Sequence, residues 1–574
     1  LNACGSIRSI EMGEEIHAEV RKKGLLEKEI VLGTSLVDMY ARCGVLSKAQ
    51  KVFDELPVRN VVSWNALICG YAQQGYSEEA VNCFWKMRDE GVSPNAVTFI
   101  CVLKICSSIS SLELGKKIHA EVSKQGLLNK DIVIGTALVD MYAKCGVLGK
   151  SQEVFDELLV RDVVAWNALI SGYIQHGLCE EALDCFTQMR DEGLSPDSVT
   201  FACILTACGS IGNLGLGEEI HAEVSKNRLM AKDIILGTAL VDMYAKCNAL
   251  TKAREVFDEL PIGDVISWNA LIAGYTEHGH ADEALECYIQ MRNVNISPNI
   301  TTFISVLKSC GILGHLKLGE EIHAEIDKQG LLQKDVILAT GLVDMYAKCG
   351  QLVKAQDVFD HILVRDVVCW NALMSGYAQY DFGDEVLNCF TQMRDKGISP
   401  NSVTFSCVLK ACGSNGYLEM GEAIHSEVSK LGLVGNDIML STSLLDMYAK
   451  CGMLGKARDI VDELSLEDIV SWNTVIAGYA HLGHARGVLN LFSKMMGRGM
   501  VPNSITFLVL LTTCSHAGLP EVGQRVFDIM VKVYDLTPSL EHYACMVDLF
   551  THAGHFDKAL VIIENVSYFD RLPL

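Results

Sequence analysis

Apolar residues recur along this 574-residue chain at helical spacing, in short runs separated by stops. In residues 61–95, Trp64, Leu67, Ile68 and Tyr71 fall at i, i+3, i+4 and i+7, one apolar stripe of a helix. Gly75 follows as a left-handed stop, and Ala80, Cys83, Phe84 and Met87 form a second stripe of the same kind. Glu78 and Glu79 suit the positive start of that second helix, and Gly91 and Pro94 close the segment. The segment is predicted to be a helix–turn–helix hairpin with two apolar faces. Residues 30–60 repeat the pattern with Leu36, Met39 and Tyr40, a stop at Gly44, then Ala49, Val52 and Phe53. Where the stop is not glycine it is Asn248 or Asp381, which tolerate the same backbone region.

The hairpins come in threes. Trp64, Trp166, Trp268, Trp370 and Trp472 lie 102 residues apart, and His17, His119, His221, His323 and His425 keep the same interval. Each period divides into a short repeat of 31 residues, a medium repeat of 35 and a long repeat of 36. Residues 1–29 read as part of a long repeat, 30–539 as five short–medium–long triplets, and 540–574 as a terminal short-type repeat and tail. Absence of insertions over five periods is expected when each hairpin stacks only on its neighbours, because an insertion at a stacking face breaks the next contact. The predicted fold is all-α: one right-handed α-solenoid superhelix of stacked hairpins, about 32 antiparallel helices, and almost no strand.

Composition narrows the setting. The 22 cysteines are mostly periodic and none forms Cys-x-x-Cys, which points to reduced core thiols rather than a disulfide scaffold or a zinc site. The longest apolar run, around Phe507–Leu511, is too short to span a bilayer. The first residue falls inside a repeat and is not methionine, so a missing N-terminus is inferred and location cannot be read from a targeting segment. A net charge of −23 argues against a binder that works by phosphate neutralisation alone, and leaves open one that reads bases along a local groove. Arg42, Lys144, Lys246, Lys348 and Lys450 recur near the end of the first helix of the short repeats. Spacing alone fits either a basic inner stripe or solvated helix ends placed well against the dipole.

Residues 61–95, Val-Val-Ser-Trp-Asn-Ala-Leu-Ile-Cys-Gly-Tyr…Gly-Val-Ser-Pro-Asn, resemble the pentatricopeptide repeat. The alternation of 31, 35 and 36 residues is similar to its S, P and L variants. Val-Thr-Phe-Ile-Cys-Val-Leu-Lys (97–104) with Ile118-His119-Ala120-Glu121 resembles the L type, and the segment from Thr136 to Gly146 the S type. Tetratricopeptide repeats, with their constant period of about 34 residues, are the nearest confusable fold and fit less well.

The resemblance implies a single-stranded RNA-binding protein of the PLS subclass, resident in the mitochondrion or chloroplast. In that family each repeat faces one nucleotide, the fifth and last residues choose the base, and an aliphatic second residue sandwiches it. A splayed-out base offers its Watson–Crick edge to side chains, so one repeat per base is a workable code. In the short repeats the fifth residues are Thr34, Thr136, Thr238, Thr340 and Thr442, and the last are Asn60, Asp162, Asp264, Asp366 and Asp468. In the medium repeats the fifth residues are Asn65, Asn167, Asn269, Asn371 and Asn473, and the last are Asn95, Asp197, Asn299, Asn401 and Asn503. The sandwiching residues are Val31, Val62, Val133, Val164, Ile235, Ile266, Ile337, Val368 and Val470. Thr and Asn at these places also suit helix starts and caps, and spacing alone does not choose between the two roles. In the long repeats the fifth residues Ile100, Ala202, Ile304, Ser406 and Leu508 are mostly unable to hydrogen-bond a base edge. By the family code, residues 30–503 read A-Y-n-G-U-n-G-Y-n-G-Y-n-G-Y from 5′ to 3′. Asn65, Thr136, Asn167 and Thr238 are expected to line one continuous concave groove.

PLS proteins typically direct C-to-U editing, so organellar RNA-editing factor proteins and a DYW-type deaminase are further implied partners. The deaminase is either a missing C-terminal domain or supplied in trans. His-x-Glu, half of the zinc-deaminase signature, occurs five times, beginning at His17, His119, His221, His323 and His425, but Pro-Cys-x-x-Cys is absent. Five identical copies read as packing rather than catalysis. No catalytic residue, metal ligand or cofactor is expected, and the chain is not expected to be an enzyme. The rival reading is a helical scaffold for protein or peptide partners.

Overall fold

The computed structural model describes residues 1–26, 29–128, 130–227, 233–260, 263–332, 335–433, 437–463, 469–481 and 483–569. Regular structure among these residues is helical throughout, in 34 helices. Two of them, Asn2–Ser6 and Ile10–Lys22, belong to the partial first repeat, and the others pair into hairpins as the periodicity predicts.

The second triplet shows the design. Ile132–Lys144 and Leu148–Asp156 form the short hairpin, Val163–Gln175 and Cys179–Asp191 the medium one, and Ser198–Ile211 and Leu214–Lys226 the long one. The second helix of the short hairpin has 9 residues against 13 in the medium hairpin, and that one lost turn accounts for the shorter repeat. Turns between paired helices use the predicted left-handed residues, with φ 77° at Gly146, 59° at Asn248 and 60° at Asp381.

The helices group into two compact bodies, Leu1–Pro298 and Asn299–Leu574. Within each body, the first helix of a hairpin packs on the first helix of the next, forming one layer. Second helices lie outside that layer and cover seams with the following first helices. Trp166, Phe155, Leu169, Ile170 and Phe186 are buried along these seams, so apolar burial is shared continuously from hairpin to hairpin.

Each kind of junction has its own adhesive. Between short and medium repeats it is aromatic: Phe155 meets Trp166 edge-to-face at 4.6 Å, and Phe53–Trp64, Phe257–Trp268 and Phe359–Trp370 repeat the pair. The first helices approach closely here, since a Cβ on Gly172 would stand 2.5 Å from the Cβ of Ala143. Between long and short repeats it is a histidine–tyrosine hydrogen bond, 2.9 Å from His119 Nδ1 to the Tyr142 hydroxyl. The pair recurs at His17–Tyr40, His221–Tyr244, His323–Tyr346 and His425–Tyr448. Between medium and long repeats a polar network is added to the apolar seam.

The cysteines meet the expectation with one exception. Twenty are thiols, most of them buried, and burial pushes Cys106 and Cys208 up to about 12. Cys69 and Cys101, however, are joined in a disulfide between the first helices Val61–Gln73 and Ala96–Ser108. The ninth residue of a medium repeat faces the sixth of the following long repeat there, and only the first triplet has cysteine at both positions. Among the described residues, no helix is long and apolar enough to cross a membrane, and no group of three or more His, Cys, Asp or Glu could hold a metal ion.

Candidate nucleic-acid interface

The last residue of a repeat is the N-cap of the next repeat's first helix. Asn60 accepts from the Val62 and Ser63 amides at 3.0 and 2.9 Å, Asn95 from Thr98 at 3.1 Å, and Asp162 from Ala165 at 2.9 Å. Asp197, Asp264, Asn299, Asp366, Asn401 and Asn503 cap in the same way. Capping is therefore the structural role of these residues. One side-chain atom suffices for it, as Asp197 Oδ1 and Asp264 Oδ1 show. Asp468 lies outside the described residues.

The fifth residues are not caps; they sit one turn inside the first helix. They are also less open than a lining of an exposed groove requires. Asn65, Asn167, Asn371 and Asn473 are only 7–9% exposed, as is Asn269. Thr34 and Thr238 are 9% exposed, with hydroxyls that have no hydrogen-bond partner. Thr136 is half-buried, and Thr340 and Thr442 donate back to the carbonyls of Val336 and Ile438 at 2.8 Å. The expectation that Asn65, Thr136, Asn167 and Thr238 line one continuous concave groove is thus corrected: Asn65, Asn167 and Thr238 are buried and Thr136 is half-buried.

The closure of the medium repeats has a clear cause. Asn167 Nδ2 donates to Asp197 Oδ1 at 3.0 Å, and the Thr200 hydroxyl lies 2.7 Å from Asn167 Oδ1. The Thr200 amide donates to the same Asp197 oxygen at 2.8 Å, and the Asp197 amide donates to Thr200 Oγ1 at 3.2 Å. Asn65–Asn95–Thr98, Asn371–Asn401–Thr404 and Asn473–Asn503–Thr506 repeat these bonds. Burial opposes charge on Asp197, but the donors from Thr200, Asn167 and Val199 outweigh it and hold the carboxyl below its usual range. Sequence reasoning missed these threonines. Their signal was present, since the third residue of every long repeat is Thr: Thr98, Thr200, Thr302, Thr404 and Thr506.

The second residues stand open. Val31, Val62, Val133, Val164, Ile235, Ile266, Ile337 and Val368 are 53–75% exposed. Val97, Val199, Val403 and Ile505 of the long repeats are exposed too, and sequence reasoning passed over them. The side chain of Val470 lies outside the described residues. Ile100, Ala202, Ile304, Ser406 and Leu508 are half-buried.

Two other candidate features resolve into structural roles. Arg42, Lys144, Lys246, Lys348 and Lys450 each pair with an aspartate one turn earlier, at 2.7–2.9 Å, so the stripe carries balanced charge. The His-x-Glu histidines hold the long–short junction through tyrosine, and burial lowers the pKa of His17, His119, His221 and His323.

Known proteins carry the same pattern. Models of the PPR repeat family match residues 59–108, 161–210, 263–311, 365–414 and 467–516, and a PPR repeat model matches 34–61, 238–261, 338–367, 403–433 and 441–469. A mitochondrial pentatricopeptide repeat-containing protein of Arabidopsis thaliana is 35% identical over 99% of this chain and 81% of its own length. A chloroplastic one from the same plant is 34% identical over 98% of this chain and 65% of its own length. Among solved structures, the pentatricopeptide repeat protein PPR10 in complex with an 18-nt psaJ RNA element has a TM-score of 0.51 at 22% identity. That alignment covers 94% of this chain and 84% of the other, and it shows a shared fold. With matched repeats in every triplet and relatives aligned nearly end to end, the chain belongs to the pentatricopeptide repeat family.

Proposed function

We propose that this protein binds single-stranded RNA sequence-specifically, one nucleotide per repeat, and marks sites of RNA processing in an organelle. One observation carries the reading. In the short and medium repeats an exposed aliphatic second residue accompanies a polar fifth residue and a polar last residue, with Asn167 bonded to Asp197 and the Thr34 and Thr238 hydroxyls without a protein partner. An apolar surface for a base face next to a hydrogen-bonding edge is what a splayed nucleotide requires. The mitochondrial and chloroplastic relatives support an organellar setting, and the RNA in the PPR10 complex supports the ligand class.

C-to-U editing is the processing reaction we assign, with the deaminase carried on a further domain or supplied in trans, alongside organellar editing-factor proteins. The chain itself is expected to bind without converting cytidine. The His-x-Glu histidines are spent on tyrosines, and Pro-Cys-x-x-Cys is lacking. The test is selection of the purified chain on a randomised single-stranded RNA pool. Enrichment of A-Y-n-G-U-n-G-Y-n-G-Y-n-G-Y supports the reading; a pool that emerges unenriched refutes it and turns attention to peptide ligands. Metal-replete protein incubated with the selected RNA is expected to leave every cytidine intact on sequencing.

A further inference from the structure

The code of the family names two residues per nucleotide, but the medium–long junction holds three. We infer that the third residue of the long repeat, Thr200 in the second triplet, is a positioning residue for the nucleotide read by the medium repeat before it. The inference rests on the RNA-binding reading above and adds to it a determinant that lies in the next repeat.

The argument follows the hydrogens. A hydroxyl has one, and Thr200 has two acceptors nearby: Asn167 Oδ1 at 2.7 Å and Asp197 Oδ1 at 2.9 Å. Asp197 Oδ1 already receives the Thr200 amide and Asn167 Nδ2. The hydroxyl hydrogen therefore goes to Asn167, while its lone pair takes the Asp197 amide at 3.2 Å. Asn167 is then fixed from both sides. Turning its carboxamide over would set its oxygen against the carboxylate oxygen at 3.0 Å, two acceptors with no proton between them. So the asparagine carbonyl points into the junction and one N–H remains for a ligand. On the last residue, Oδ1 is consumed by the helix start, and the other atom remains.

That other atom is where the repeats differ. It is a carboxylate oxygen on Asp197, an acceptor, and an amide nitrogen on Asn95, Asn401 and Asn503, a donor. Both present it from the same cap, because Asn95, Asp197, Asn401 and Asn503 all hold the threonine amide with Oδ1. The threonine thus makes each medium junction offer one N–H from the fifth residue and one atom of opposite character from the last. Without the hydroxyl, Asn167 is held by its bond to Asp197 alone, and a carboxamide with one fixed side instead of two presents its remaining N–H less firmly to the base. Uracil and cytosine share a carbonyl but differ in their ring N–H, so a loosely held edge reads them less sharply.

The experiment is competition between two RNAs that differ only as U or C at the fifth base of the register, with wild type, Thr200→Val and Thr200→Ser. Wild type is expected to favour U about 5- to 150-fold, the range of a good base-edge pair. Val is expected to bring that ratio close to one, Ser to restore it, and the preference at the seventh base, read by Thr238 and Asp264, to stay unchanged. Helix content by circular dichroism checks folding. Ala165 and Cys369 occupy the same third position elsewhere in this chain, so Thr200→Ala is a second variant the stack accommodates. A U/C ratio that survives both Val and Ala, or equal loss of affinity for both RNAs, overturns the inference alone and leaves Thr200 as a helix cap. Wild-type protein without preference at any base overturns the RNA reading and this inference with it.

Discussion

The short–medium and medium–long junctions are held by opposite chemistry: aromatic packing of a second helix on the next first helix in one, polar bonds between two first helices in the other. At the first, Phe155 and Trp166 lock edge-to-face in a buried seam, and the third residue of the incoming helix is Ala165. At the second, a buried threonine ties the fifth residue of one repeat to the cap of the next. The consequence appears at the fifth residue. Thr34 and Thr238 keep a hydroxyl without a partner, a rotor able to donate or accept. Asn65 and Asn167 are fixed in one orientation. The first junction puts stability into aromatic packing; the second builds stability and orientation from the same bonds.

The contrast is most exposed by truncating Trp166, which is 1% exposed. Trp166→Ala is expected to cost about 3–5 kcal/mol in urea unfolding, the range for a core aromatic. Thr200→Val is expected to cost about 1–3 kcal/mol, the range for stranding a buried polar group. Equal or inverted losses would break the division of labour between the junctions.

Next in size is a change of base. Asp264 caps the helix Val265–Glu277 through Oδ1, bonded to the Ser267 amide at 2.9 Å, and asparagine caps as well as aspartate. Asp264→Asn should therefore leave stability unchanged while exchanging the spare acceptor for a donor. The preference at the seventh base is expected to move from G to A, by about 1–3 kcal/mol in competition between RNAs differing only there. Equal weakening toward both RNAs would show that Asp264 is a cap and no more.

Acid separates the junctions by pH. Burial lowers the pKa of His17, His119, His221 and His323, so below about pH 6.5 the unfolded chain takes up protons first and the folded state loses stability as pH falls. The Asp197 carboxyl is held below 3.8, so its contribution is intact above that value and is lost only on further acidification. Urea midpoints should fall between pH 7.5 and 5.5, less so when His119 and His221 are replaced by Gln. A separate loss below the ordinary carboxylate range should diminish in Asp197→Asn. The smallest effect belongs to the surface pair Lys144–Asp140, where Lys144→Gln is expected to change stability by less than about 1 kcal/mol. If that lysine leaves Asp140 to meet a phosphate, the variant also lowers the salt slope of RNA binding by about one.

Much of this was legible beforehand, for physical reasons. The 102-residue period, the hairpins and their stops follow from local rules, and Asn248 and Asp381 adopt the left-handed turns assigned to them. Of the two roles weighed for the last residues, the structure shows the cap, as at Asp197, which uses one oxygen. What sequence reading lacked was register between neighbouring helices. The burial of Asn167 depends on Thr200, 33 residues on, and the bond between Cys69 and Cys101 spans 32. The aspartates that neutralise the basic stripe were visible at i−4 and were not weighed.

The medium–long network also bears on how such arrays can be rebuilt. Because Asn167, Asp197 and Thr200 form one bonded group, the part that keeps its meaning when moved does not end where the repeat ends. A crossover or a synthetic cut placed after Asp197 parts the group and grafts the cap onto a foreign third residue. A cut placed three or more residues later carries the group whole. Shuffled descendants of this chain should therefore show breakpoints inside the first helix or the following turn, out of phase with the repeat boundary, and designed arrays should be spliced in that shifted frame.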